Sequence, residues 1–144
     1  LNDHNRLDMV ELAVKNYPGM RASNVEFSLP KPSYTIDTLT YLHEKHADYS
    51  FSLIMGEDNL KNLRKWKNAD LLIKNHHIIV YPRVFEGEKK DSEYLQHENI
   101  SLIKAPIIEL SATEIRNMIK DSKNVRPMLP PEVFEYLDGS SFYK

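Results

Sequence analysis

The 144-residue chain predicts an α/β fold in which a mainly parallel sheet is flanked by helices. Three observations carry that expectation. Short apolar runs at residues 51–55, 77–81 and 100–103 have the length and residue types of buried strands. Segments with helical spacing separate and follow them. The runs stop near Gly56, Arg83 and Ala105, so in a parallel sheet these ends share the edge where open α/β sheets bind ligands. At this length a single domain over residues 1–144 can bury its core without staples.

Each element has its own signal. Asn2 or Asp3 can cap a first helix with Leu7, Val10, Ala13, Val14 and Tyr17 on one face, ended by Pro18-Gly19. Residues 21–27 predict a strand, with Val25 and Phe27 alternating. Pro30-Lys31-Pro32 then breaks regular structure and delivers the chain to Ser33-Tyr34-Thr35. A helix follows over 35–46, with Ile36, Leu39 and Leu42 or His43 inward. After the strand at 51–55, Leu60, Leu63 and the 69–74 stretch predict short helices flanking Trp66. Residues 77–81 form the next strand, 84–98 a charged surface loop, and 100–103 the last strand. Ser111 opens a helix to about residue 121, and Pro130-Pro131 opens another that closes at Gly139.

Composition narrows the function classes. A net charge of −2 argues against a broad nucleic-acid-binding face, so any phosphate must be held by a local device. The absence of cysteine excludes disulfides and thiolate metal sites. No apolar stretch approaches the ~18 residues of a membrane span. Because the first residue is Leu1 and not methionine, the N-terminus is expected not to be the start of a gene product.

Two stretches carry chemistry. Gly56 ends a strand and leaves room for a close approach, and Asp58 follows on the loop where a carboxylate can accept ribose hydroxyls. The same residues also suit a plain turn and a helix cap. Ser111 with Glu114 is a capping box, so a helix starts there. Its free N–H groups suit phosphate, with hydroxyls from Ser111 and Thr113 and a guanidinium from Arg116 one turn in. A cap with an incidental arginine is the alternative. His43-Glu44-Lys45-His46 sits at a helix end, where histidines complement the negative pole; it has no obvious third metal ligand, so it is expected to be structural. His76-His77 is expected to be structural too. Polar neighbours put Trp66 at a rim.

Ser111-Ala112-Thr113-Glu114-Ile115-Arg116 resembles the Ser-x-Thr-x-Ile-Arg signature of the nucleotidylyltransferase superfamily. Leu53 to Leu60 with Trp66, residues 77–83, Pro32-Ser33-Tyr34-Thr35 and Leu129-Pro130-Pro131-Glu132-Val133 are similar to bacterial nicotinate-nucleotide adenylyltransferases, in that family's order and spacing. The resemblance implies a Rossmann-like nucleotidylyltransferase fold and transfer of AMP from ATP to nicotinate mononucleotide, releasing pyrophosphate. It implies that Ser111, Thr113 and Arg116 hold the ATP phosphates, with Arg116 stabilising charge, and that Gly56, Asp58 and Arg83 meet the nucleotide. Thr35 and Trp66 would form the nicotinate pocket. Mg²⁺ would accompany the triphosphate, bound by phosphate and water and by no protein metal site. No nucleic-acid or membrane partner is implied, the setting is cytoplasmic, and a homo-oligomer is compatible.

The chain departs from the family at three places. Asn59 replaces a common serine, and Lys67 stands where many members have an aromatic residue. The family's initial strand, Gly-rich loop and His-x-Gly-His have no counterpart in residues 1–144, so the domain is expected to be N-terminally incomplete and inactive by itself. The alternatives are a catalytically inactive nucleotide-binding module and a sister enzyme with another acceptor, such as pantetheine phosphate.

Overall fold

The computed structural model describes residues 1–83 and 93–144. Along the chain it has α1 (Asp3–Val14), α2 (Thr35–Lys45), β1 (Leu53–Gly56), α3 (Glu57–Lys61), α4 (Ala69–Asn75), β2 (Ile78–Tyr81), β3 (Ile100–Leu102), α5 (Ala112–Lys120) and α6 (Pro131–Asp138). These elements fall into two compact units, one of Leu1–Ser28 with Leu110–Lys144, the other Leu29–Glu109. Of the loop expected at 84–98, residues 84–92 lie outside the described residues, and Glu93–Gln96 form a 3-10 turn.

The unit Leu29–Glu109 is built on a parallel sheet in the order β1-β2-β3. Leu53 stands opposite Ile78, and Ile78 opposite Ile100, so all three strands run the same way and their C-terminal ends share one edge. Met55, Ile78, Val80 and Ile100 bury one sheet face against Ile36 and Leu39 of α2, Leu60 of α3, Leu63, and Leu72 and Ile73 of α4. Leu60, Leu63, Leu72, Ile78 and Val80 are the deepest of these. Each such aliphatic chain contributes roughly 1.5–3 kcal/mol relative to exposure.

The strand expected at 51–55 is shorter and starts later, and it is buried on one side only. Met55 is 6% exposed while its neighbour Ile54 is 69% exposed, as strand alternation requires when one face alone is covered. The helix before β2 is closed at both ends: Asn68, at φ 51°, turns the chain into α4, and the Asn99 side chain donates to the carbonyls of Ile73 and Lys74 at its far end.

In the other unit, α1 is capped by Asn2, whose side chain accepts the Asn5 N–H at 2.8 Å. α1 and α6 are joined by side chains: Lys15 and Asn16 meet Glu132 Oε1 at 3.2 and 3.1 Å, and the Tyr136 hydroxyl donates to Asp8. The Glu132 carboxyl is held below the usual carboxylate range by its own backbone N–H and by Lys15. Partial burial and the bond to Asp8 push Tyr136 upward. Val125, Val133 and Leu137 are buried here.

The strand expected at 21–27 does not form; Val25–Ser28 is a 3-10 turn instead. The Ser23 hydroxyl accepts the Val25 N–H, Ser28 Oγ donates to the Val25 carbonyl, and Phe27 N–H reaches Asn24 O. Serine side chains thus satisfy backbone groups locally, in competition with a ladder.

Candidate active site

The C-terminal edge of the sheet gathers three of the residues singled out from sequence. Gly56 ends β1 and begins α3 with an extended backbone, φ −73° and ψ 153°, that any residue could adopt. What it supplies is space. A Cβ placed there would lie 2.2 Å from Asp58 Oδ1 and 3.0 Å from Arg83 Cδ. Gly56, Asp58 and Arg83 therefore converge, with Asp58 in the first turn of α3 and Arg83 two residues beyond β2. Asp58 is exposed and Arg83 half-buried, an acceptor and a donor fork at one sheet end. The glycine makes room for the site's own side chains, which the sequence alone did not reveal.

Thr35 and Trp66 come together in a cleft of about 270 Å³ lined by Ser33, Tyr34, Thr35, Ile36, Lys65, Trp66 and Lys67. Thr35 opens α2, so the first residues of that helix and a half-buried indole line the same cleft. That combination suits a planar ring bearing an anionic group. Trp66 also packs against the core, so it is both wall and support. Lys67 Nζ is tied to Asp37, an acidic partner that sequence reading missed because the two lie 30 positions apart.

Ser111, Thr113 and Arg116 sit in the other unit, at the start of α5. Ser111 Oγ accepts the Glu114 N–H at 3.1 Å, so the expected cap is present. Arg116 Nη2 donates to Thr113 Oγ1 at 3.1 Å, and its guanidinium lies 6.0 Å from the Tyr143 ring centroid. With its oxygen accepting from Arg116, Thr113 keeps a hydroxyl proton to donate. Three donor groups thus line one helix start.

His46, His76 and His77 have structural partners. His46 ends α2 and stacks on Tyr49 with centroids 5.5 Å apart, His76 Nδ1 meets the Phe51 carbonyl, and His77 Nε2 meets Ser101 Oγ. A wider cleft of about 580 Å³, lined in part by His43, Phe51 and His76, borders residues preceding β1 and β2 and holds none of the predicted site residues. Among the described residues, no group of three or more His, Asp or Glu could hold a metal ion. None of their helices is long and apolar enough to cross a membrane.

Residues 1–118 match the family model described as cytidylyltransferase-like. Over all 144 residues the chain is 50% identical to a probable nicotinate-nucleotide adenylyltransferase of Flavobacterium psychrophilum, and 51% to that of Flavobacterium johnsoniae. The chain belongs to the cytidylyltransferase-like family, among its nicotinate-nucleotide adenylyltransferases. It spans 74% of the length of each of those relatives. The fold of this adenylyltransferase chain is also that of Plasmodium falciparum nicotinic acid mononucleotide adenylyltransferase complexed with APC, with a TM-score of 0.78 at 19% identity over 99% of this chain and 76% of the other. The same protein complexed with NaAD gives 0.78 at 18% identity, over 99% and 75%. The fold is thus the Rossmann-like nucleotidylyltransferase fold expected from the motifs.

Proposed function

We propose that the protein transfers the adenylyl group of ATP to nicotinate mononucleotide, forming nicotinate adenine dinucleotide and pyrophosphate in NAD biosynthesis. The observation that carries this reading is the 50% identity, over the whole chain, to relatives of that name. The convergence of Gly56, Asp58 and Arg83 at the sheet edge supports it. A phosphate oxygen of the mononucleotide attacks the α-phosphorus of ATP in line, and the bond to the bridging oxygen of the leaving pyrophosphate breaks as the new P–O bond forms. The protein's share is positioning and charge stabilisation. Asp58 accepts the ribose hydroxyls, Arg83 lies beside the nucleotide, and the Thr35–Trp66 cleft takes the nicotinate ring. Ser111, Thr113 and Arg116 donate to the phosphates. Mg²⁺ would be borne by the triphosphate and water and would add charge neutralisation there. A single nucleotidylyltransferase domain in a cytoplasmic setting belongs to the same reading.

Pyrophosphate release by the full-length protein tests it. Arg116→Ala should cut kcat about 100-fold or more while sparing stability. Ser111→Ala should lose about 1 kcal/mol of stability through the cap and weaken ATP binding. Asp58→Ala should raise KM for ATP, and Trp66→Ala that for nicotinate mononucleotide. Near-normal turnover in Arg116→Ala would remove the phosphate role, and equal effects of the other two on both substrates would undo the division of the site. Residues 1–144 alone, which carry no His-x-Gly-His, should release no pyrophosphate.

A further inference from the structure

Lys67 occupies the wall of the Thr35–Trp66 cleft, beside the indole and facing Tyr34. Its ammonium donates to both carboxylate oxygens of Asp37, at 3.0 and 2.7 Å, and stands 4.7 Å from the centroid of the Tyr34 ring. Asp37 is in the first turn of α2 and is not itself part of the cleft lining. A carboxylate outside the cleft and an aromatic face within it therefore fix where this cation stands.

Both side chains of the ion pair keep 43% of their surface exposed, so water screens the pair and a further anion can join it. An ammonium has three donors, and two bonds to one carboxylate leave at least one for another acceptor. A long, flexible lysine stem can deliver that donor where a rigid aromatic side chain could not.

We infer that Lys67 is a specificity-determining residue of this cleft, favouring a ring that bears a carboxylate over the same ring bearing a carboxamide. This rests on the adenylyltransferase reading for the identity of the ligand. The physical reason is charge. The nicotinate ring of the mononucleotide carries a pyridinium and a carboxylate, which the ammonium can engage. The nicotinamide ring carries the pyridinium alone, which the ammonium repels. Attraction to one ligand and repulsion of the other act in the same sense. Asp37 offsets part of the lysine charge, which keeps the expected preference moderate.

The test is a calorimetric titration of the full-length protein with nicotinate mononucleotide and with nicotinamide mononucleotide, alongside steady-state kinetics. Lys67→Met should lower the ratio of the two affinities roughly tenfold. Lys67→Gln should repeat that loss, and Lys67→Arg should retain most of the preference. The kinetic change should lie in KM for the mononucleotide, with kcat and KM for ATP held, which a folding defect would not reproduce. An unchanged affinity ratio in both neutral variants, or binding of neither mononucleotide by the wild type, would overturn the inference. Lys67-dependent preference in a protein that releases no pyrophosphate would support it while refuting adenylyl transfer, so the two readings fail separately.

Discussion

At Gly56 one added methyl group separates folding from binding. The atoms it would strike are the Asp58 carboxylate, at 2.2 Å, and the Arg83 side chain, at 3.0 Å, both able to swing aside. Gly56→Ala should therefore unfold within about 1 kcal/mol of wild type while losing ATP affinity, because Asp58 can no longer stand where it does. A variant that melts normally and binds ATP normally would show that the Gly56–Asp58 packing has no part in nucleotide recognition. Sequence named Gly56, Asp58 and Arg83 but not their relation, since a glycine's reason for being small is visible only when its neighbours are placed. Lys67 is the sharper case. As a letter it was a departure from the family; in three dimensions it is a cation with a fixed address, set by Asp37 and Tyr34.

At the scale of elements, what was legible depended on whether a segment's signal is local. Ser111 caps α5, Pro131 opens α6 and Ile36 and Leu39 face inward from α2, all as residue type and spacing dictate. Residues 21–27 failed because alternation says only that a segment could pair; a ladder also needs a neighbour, and here the serines bind the backbone first. The joining of α1 to α6 was also invisible, since Lys15 and Glu132 are far apart in sequence, yet it gives a pH-dependent contribution. Glu132 is held below its unfolded value, so its stabilisation is present above a pH of about 4.3 and fades as pH falls through the lower folded value. Glu132→Gln should lower Tm at neutral pH, and the deficit should shrink below about pH 4. A deficit that persists undiminished at pH 3 would mean the carboxylate's charge is not what joins the helices.

At the scale of the whole molecule, the two units differ in what they bury. Among the described residues, the unit Leu29–Glu109 holds most of the buried apolar side chains, whereas the other contributes Val125, Val133 and Leu137. Trp66 is the only tryptophan of residues 1–144 and lies in the sheet unit, while α1, α5 and α6 lie in the other. Indole fluorescence and far-ultraviolet circular dichroism thus weigh the units differently. In urea the dichroism should begin to fall before the fluorescence shifts, and coincident transitions would instead mark one cooperative domain. The sheet unit has a liability of its own. Ile54 stands 69% exposed on β1, which has a strand partner on one side only among the described residues. An apolar strand with an open row of N–H and C=O groups is a template for any other extended chain. Concentrated solutions of residues 1–144 are therefore inclined to grow by edge-to-edge recruitment, so that handling them is first a problem of colloid chemistry and only then one of enzymology.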